Sequence, residues 1–359
     1  MGKLTKILLI TVRADVGGGP EHVFQLARTL MQKVDVYIAA PSDDPYWGKF
    51  LSLVGKDHLI EIPHRKLTLN ALIQLYKFIC AHDIKLIHSH GKGAGIYSRL
   101  IKIIRPKIKV FHTLHGYHDG TYSLLGKKLY AAIERIFSKL TFKIINVSQG
   151  EQKKFIGATG ISENKCKVVY NGVEIFDHIS ANICNGKKLK LCFLARDDSQ
   201  KNVEEMEKIY KEAARLYGED FLEIDVYGIL KESTYTRFSK GIFYKGAKEG
   251  FKNILKNYDI LLNTSRWEGM PISVLEAMSE NVLVLATDVV GNNDIITSGK
   301  NGYLYPLGDI SKACFYLEKI YKNDGENEKI KRQAFYLVKE KYSIAHMGEK
   351  ILQLYGAAK

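Results

Sequence analysis

Short apolar runs alternate with amphipathic helical patterns along almost the whole chain, and few architectures accept that order. A strand–helix–strand succession packs as a parallel sheet with helices on both faces. Ile7–Thr11, Val34–Ala39, Leu86–His88, Val110–Thr113 and Ile144–Val147 read as strands, separated by helical patterns over Glu21–Gln32, Leu69–His82, Ala94–Ile104, Leu124–Leu140 and Gln149–Phe155. A polar, weakly patterned stretch over residues 176–188 breaks the alternation, which resumes with Leu189–Leu194, Glu223–Val226, Ile242–Tyr244, Ile260–Asn263 and Val282–Leu285. The pattern predicts an α/β protein of two Rossmann-like domains: residues 1–175, a linker at 176–188, and residues 189–340. A C-terminal helix over 341–359 is expected to cross back to the first domain.

The 359 residues suffice for two such cores. Five cysteines (Cys80, Cys166, Cys184, Cys192, Cys314) include no CxxC pair, which fits a reducing compartment and argues against a disulfide framework or zinc ribbon. The N-terminal apolar run is too short for a secretory signal or a membrane span, so the expectation is a cytoplasmic protein. Charge is unevenly spread. Residues 1–175 carry 26 Lys and Arg against 13 Asp and Glu, whereas residues 176–359 carry 27 against 26. In the basic half, Arg99–Lys109 (RLIKIIRPKIK) and Leu124–Lys143 interleave cations, among them Lys127, Lys128, Arg135, Lys139 and Lys143, with apolar residues. That mixture suits an anionic membrane surface better than a duplex, which needs polar base-reading groups. Equally, the apolar residues could be core and the cations merely solvated.

In open α/β sheets ligands gather beyond the carboxyl ends of the strands. One such end carries SRWEGMPISVLEAM over Ser265–Met278: strand, loop, helix, with Pro271 read at the first helical position. The N–H groups of Ile272, Ser273 and Val274 then form an anion-attracting helix start. Glu268 and Glu276 flank it; carboxylates only accept hydrogen bonds, so there they suit paired sugar hydroxyls. Each taken alone reads more readily as a solvated charge than as a ligand group. After Leu189–Leu194 comes ARDDSQKN, in which Arg196 offers a planar fork and Lys201 a point charge, a set suited to two phosphates. After the first strand comes Gly17-Gly18-Gly19-Pro20-Glu21, where glycines permit close approach by a ligand; it does not match GxGxxG.

With these strand ends in view, the chain resembles the retaining GT-B glycosyltransferases, in particular glycosyltransferase family 4. The matching features are GGGPE (Gly17–Glu21), HTLHG (His112–Gly116), NVS (Asn146–Ser148), YNGVE (Tyr170–Glu174), ARDDSQKN (Ala195–Asn202), EGMPISVLE (Glu268–Glu276) and GNNDII (Gly291–Ile296). The resemblance implies two Rossmann-like domains facing each other across a cleft. It implies that Arg196 and Lys201 bind the donor diphosphate and stabilise the leaving group, and that Glu276 holds the ribose. Glu268 and the backbone after it (Gly269, Met270, Pro271, Ile272) would serve the transferred sugar, with Gly18 and Gly19 closing on the phosphates. His115 would lie near the reacting sugar, Tyr244–Gly246 with Lys245 would border the nucleotide, and Glu21, His115 and Tyr117 would meet the acceptor. Ala195 stands where the family often has glycine, and Asp197-Asp198 add negative charge beside the proposed phosphate site.

The implied reaction moves a hexose or N-acetylhexosamine from a nucleotide sugar, a UDP-sugar being favoured, by a front-face retaining route. No DxD triplet is present, and neither a metal nor a cofactor is expected. His112, His115 and His118, with His88 and His90, lack the spacing of a metal motif. The acceptor expected is a glycan on a polyprenyl diphosphate at the inner membrane face, as in bacterial surface polysaccharide or lipopolysaccharide assembly, with no nucleic acid involved. The alternative function is a nucleotide-sugar epimerase of similar shape.

Overall fold

A computed structural model describes residues 5–117, 122–175 and 188–357. The chain forms two compact units, one running to Gly172 and taking up the chain again from Ile344, the other spanning Val173–Ser343. The first holds the strands β1 (Lys6–Thr11), β2 (Asp35–Ala40), β3 (Leu59–Glu61), β4 (Leu86–His90), β5 (Lys109–Thr113), β6 (Lys143–Asn146) and β7 (Cys166–Val168). The second holds β8 (Leu189–Arg196), β9 (Leu222–Ile229), β10 (Ile242–Gly246), β11 (Ile260–Asn263), β12 (Leu283–Thr287) and β13 (Tyr303–Tyr305). All pairings within the two sheets are parallel. The orders are β3-β2-β1-β4-β5-β6-β7 and β10-β9-β8-β11-β12-β13. Each is a doubly wound sheet whose strand order reverses at one point, between β1 and β4 and between β8 and β11, where such sheets open a crevice for ligands.

Alternation along each strand explains why these segments pair. Ile7 and Leu9 of β1 join one core with Val36, Ile38 and the helix Gly18–Leu30; Leu8 and Ile10 join the opposite core with Tyr37, Ile87 and the helices Leu69–Ala81 and Gly91–Ile104. Local chemistry sets the helix starts: Thr68, Ser123, Ser148 and Asp309 each accept an amide of the first turn through the side-chain oxygen. The helix Ile344–Gly356 buries Met347, Ile351 and Tyr355 in the first unit's core. Gly348 permits that docking, since a Cβ there would lie 2.3 Å from Thr29 Cγ2, and Tyr355 Oη lies 2.6 Å from His88 Nδ1.

β3, β7 and β13 are absent from the sequence reading. Each has three residues, too few to establish a period of two. The linker assigned to 176–188 lies outside the described residues except for Lys188.

The two basic segments differ in use. In Arg99–Lys109, Arg99 is fully buried and pairs with Glu134 (Nη2–Oε2, 3.2 Å) while its Nε donates to Thr141 (3.1 Å). It is an internal tie between helices, not a solvated cation. In the helix Leu124–Leu140 four apolar residues lie outside the core: Leu124, Leu125, Leu129 and Ile136 are all at least 60% exposed, while Ala131 is buried and Tyr130 packs inward. Lys127, Lys128 and Lys139 stand on the same helix. Among the described residues no helix is long and apolar enough to cross a membrane.

Candidate active site

In the second unit, the loops that follow β8 and β11 lie at the switch point and are strapped together. Thr264 Oγ1 donates to the carbonyls of Lys201 (2.9 Å) and Asn202 (3.0 Å). The Arg266 amide donates to Gln200 O (2.8 Å), its Nε to Ser199 O (3.1 Å) and its Nη2 to Asn202 Oδ1 (2.7 Å). Asn202 takes the left-handed conformation (φ 51°) that asparagine tolerates, turning the chain into the helix Val203–Tyr217.

On this frame sits a continuous polar network. Lys201 Nζ meets Glu268 Oε1 at 2.7 Å, and both side chains are nearly buried, at 14% and 8% exposure. Ser265 Oγ donates to the same oxygen (2.7 Å), and Gln200 Nε2 reaches Glu268 Oε2 (3.3 Å) and Trp267 O (2.9 Å). Gln200 Oε1 in turn accepts from Arg196 Nη2 (2.8 Å). Arg196, Gln200, Lys201, Glu268 and Ser265 therefore form one connected set, in which Gln200 and Ser265 had no signal in the sequence. Beneath it, Glu268 N donates to Val290 O (3.2 Å). Gly291 must be glycine here: its φ is 93°, and a Cβ would come within 2.9 Å of the Glu268 carbonyl carbon and Gly269 O.

The two acidic neighbours are already compensated. Asp198 pairs with Arg196 (2.9 Å) and accepts the amides of Gln200 (3.1 Å) and Lys201 (3.3 Å); Asp197 pairs with Lys231 (3.1 Å). Neither adds an uncompensated charge beside Lys201.

Pro271 stands one place earlier than its sequence position suggested. Its ψ of 117° is extended, so it caps the helix Ile272–Ser279 and its carbonyl accepts the amides of Val274 (3.2 Å) and Leu275 (3.4 Å). The helix itself leaves the amides of Ile272 and Ser273 unused, not that of Val274. Met270 is buried, Gly269 is buried beside it, and Glu276 is half-buried on the helix. Lys245 does not join the network: on β10 it pairs with Asp225 (3.2 Å) and lies over the Phe243 ring. Its neighbour Tyr244 stacks on Tyr235 (4.3 Å, 12°) and donates to Gly228 O (2.8 Å).

The first unit's switch point is built from histidines. The glycine turn forms an extended N-cap at Gly17, with Gly18 and Gly19 opening the helix. Arg13, paired twice with Asp15 (2.7 and 2.8 Å), lies across that turn and donates to Val16 O (3.3 Å). Glu21, expected at the acceptor, has an internal use: it accepts from Gln25 Nε2 (2.6 Å) and from Tyr46 Oη. Tyr117, also expected there, is 4% exposed, stacks on Tyr130 (5.2 Å, 14°) and packs edge-on to Phe155, so its ring belongs to the core.

His115 is left-handed (φ 57°), followed by Gly116 (φ 105°). The buried Glu151 carboxylate holds this bend by accepting the Gly116 amide and, from the end of β6, the Val147 amide (2.6 Å). His115 Nε2 lies 3.1 Å from His90 Nδ1, and the His22 ring meets the His115 ring edge-on at 4.4 Å. His112 is an interior strand residue bound to Ser89 Oγ (3.0 Å), while His88 lies 2.7 Å from Thr113 Oγ1; His118 is outside the described residues. His22 and Glu151 carried no sequence signal of a site. Burial pushes His22 down to about 4 and, with the His22 charge adding to it, His88 down to about 3. His90 and His112 are held well below the ordinary histidine value, again chiefly by desolvation. These four rings are neutral at physiological pH. Two sets could converge on a cation, His22/His90/His115 and Asp15/Asp43/His64. Both have competing partners, since His90 bonds His115, Asp15 binds Arg13 and Asp43 binds His64.

Two doubly wound units, with cations at the switch point of one and histidines at that of the other, define an α/β protein with two candidate ligand ends. Residues 16–175 match the family described as Glycosyltransferase Family 4, and residues 176–335 that described as Glycosyl transferases group 1. The chain belongs to glycosyltransferase family 4 and has the GT-B fold class; it is a glycosyltransferase. It is similar to the UDP-Gal:alpha-D-GlcNAc-diphosphoundecaprenol alpha-1,3-galactosyltransferase of Escherichia coli, with 26% identity over 70% of each chain. The O-antigen biosynthesis glycosyltransferase WbnH of Escherichia coli is 25% identical over 94% of this chain and 96% of its own. Among solved structures, Anabaena Alr3699/HepE in complex with UDP and glucose superposes with a TM-score of 0.82 at 15% identity, covering 98% of this chain and 100% of that one. Family membership sets the epimerase reading aside.

Proposed function

We propose that this enzyme transfers a hexose or N-acetylhexosamine from a UDP-sugar, with retention of configuration and without a divalent metal, to a glycan carried on a polyprenyl diphosphate. The setting proposed is bacterial surface polysaccharide or lipopolysaccharide assembly at the inner face of the cytoplasmic membrane. The observation that carries the reading is the Lys201–Glu268–Gln200–Arg196 network at the β8/β11 switch point. Two cations held on one rigid frame suit a diphosphate leaving group, whose charge grows as the glycosidic bond breaks. Glu268 is then positioned to pass from Lys201 to sugar hydroxyls, with Glu276 on the ribose and the amides of Ile272 and Ser273 as further donors. The departing phosphate takes the acceptor's proton, so positioning and charge stabilisation do most of the work.

The relatives' names support the choice of donor and acceptor: UDP-galactose and a diphosphoundecaprenol-linked sugar in one case, UDP and glucose in another. Purified protein given a panel of nucleotide sugars should release nucleoside diphosphate only when acceptor is present, with EDTA leaving the rate unchanged. Release without acceptor dependence, or an absolute need for added metal, would count against the reading.

Membrane association is supported by the helix Leu124–Leu140, where lysines stand beside exposed leucines and isoleucines. The protein should float with anionic liposomes at low salt and dissociate as salt rises. Leu124→Ser/Leu125→Ser/Leu129→Ser should weaken that binding; equal flotation with neutral and anionic vesicles would contradict it.

A further inference from the structure

The histidine cluster specifies which nitrogen of His115 carries a proton. The ring is placed by the backbone: a left-handed residue followed by Gly116, with the amide of Gly116 clamped by Glu151. His115 Nε2 points at His90 Nδ1, 3.1 Å away. His90 is 5% exposed and in contact with three further imidazoles, His88 at 4.2 Å, His22 at 5.3 Å and His115 at 5.3 Å between ring centroids. Burial and that company keep it neutral, so it has one proton to place.

Two arrangements satisfy the 3.1 Å contact. In one, His115 Nε2–H donates to a bare His90 Nδ1; the His90 proton then sits on Nε2, which is buried and has no hydrogen-bond partner among the described residues. In the other, His90 Nδ1–H donates to a bare His115 Nε2, and the orphaned His90 Nε2 is only a lone pair. Buried N–H groups without acceptors are rarer and costlier than under-used acceptors, so the second arrangement wins. A doubly protonated His115 would force the first arrangement and is disfavoured for the same reason.

We infer that His90 is a positioning residue that fixes His115 in the Nδ1–H tautomer, so that His115 meets the donor sugar as a hydrogen-bond donor and not as a base. The inference rests, for its catalytic meaning, on the reading that His115 contacts the transferred sugar. It gives the two sites separate tasks: the leaving phosphate removes the acceptor proton, while His115 supplies an N–H to a sugar oxygen.

The direct test is side-chain nitrogen NMR on the ¹⁵N-histidine-labelled enzyme, with the His115 resonances assigned by their loss in His115→Asn. The expected pattern is protonated Nδ1 and bare Nε2 at His115; a protonated Nε2 overturns the inference. Kinetics provide the second arm. In His90→Asn the amide nitrogen occupies the place of Nδ1 and keeps the donor, whereas His90→Phe removes it. Turnover should fall about tenfold or more in His90→Phe with KM changed by less than about threefold, and His90→Asn should stay within about threefold of wild type. Equal losses in the two variants, at unchanged thermal midpoint, would mean His90 acts through packing alone and would overturn the inference. His115→Ala separates the two claims. Near wild-type turnover, with the NMR pattern as expected, removes the sugar contact but leaves the tautomer standing. An inactive His115→Ala with a protonated Nε2 in the wild-type enzyme refutes the tautomer and leaves the contact.

Discussion

The two units share one topology and place opposite chemistry at the same point of it. At the β8/β11 switch the groups are ionic: Arg196 with Asp198, Lys201 with Glu268, linked through Gln200. At the β1/β4 switch the central groups are His22, His88 and His90, buried and held neutral, with His112 beside them on β5. On the proposed function, the difference matches what each end would meet. A diphosphate gains charge during transfer and rewards preorganised cations, whereas sugar hydroxyls are neutral and reward fixed donors and acceptors. The ionic end keeps its cations paired with carboxylates, which avoids leaving a nearly buried lysine uncompensated. The histidine end avoids the same difficulty by refusing protons.

The contrast breaks most visibly at Lys201. Lys201→Ala should lower turnover by about 100-fold or more, by analogy with the loss of one transition-state donor. The variant also removes the cation that faces Glu268 while its carboxylate, still held by Ser265 and Gln200, keeps its charge beside an incoming diphosphate, so Lys201→Ala/Glu268→Gln should recover part of the loss in donor KM. Turnover of Lys201→Ala near wild type would remove the distinction between the two ends.

A smaller effect is expected in the pH dependence of stability. His22 has a folded value near 4 against about 6.5 when unfolded. A depressed folded value means that its contribution is complete above pH 6.5 and is lost as pH falls from about 6.5 toward 4, where the unfolded chain takes up a proton that the folded one refuses. The slope for His22 alone is up to about 1.4 kcal/mol per pH unit. Thermal midpoints followed over that window should therefore fall less steeply in His22→Leu than in wild type. Parallel curves would show that the ring is not held neutral by its burial.

The smallest change is at the edge of the histidine end. Tyr355→Phe deletes the hydroxyl 2.6 Å from His88 Nδ1 and should destabilise the first unit by about 1 kcal/mol without altering KM for the donor. Denaturant melts together with donor kinetics would check both halves of that expectation.

Much of this was legible in the sequence because the signals are local. Most strands, the Pro271 break and the Arg196/Lys201 pair all lie within single short segments. Three-residue strands offered no period to read. The placement of Pro271 depended on its ψ, which no residue type specifies. The Lys201–Glu268 contact joins residues 67 positions apart, and the sequence motifs suggested both as ligand-binding groups but not as partners of each other. Glu151 and His22 sit at positions of helices that pattern alone assigns to packing. Only the parallel order of β1, β4, β5 and β6 turns them toward His90 and the His115 bend.

The most direct test of the ionic end is a crystal structure of the enzyme soaked with its nucleotide sugar. Diphosphate oxygens are expected within hydrogen-bond distance of Lys201 Nζ and the Arg196 guanidinium, with Glu268 turned from Lys201 to a sugar hydroxyl. A bound nucleotide sugar whose phosphates lie elsewhere, with the Lys201–Glu268 pair intact, would contradict that placement.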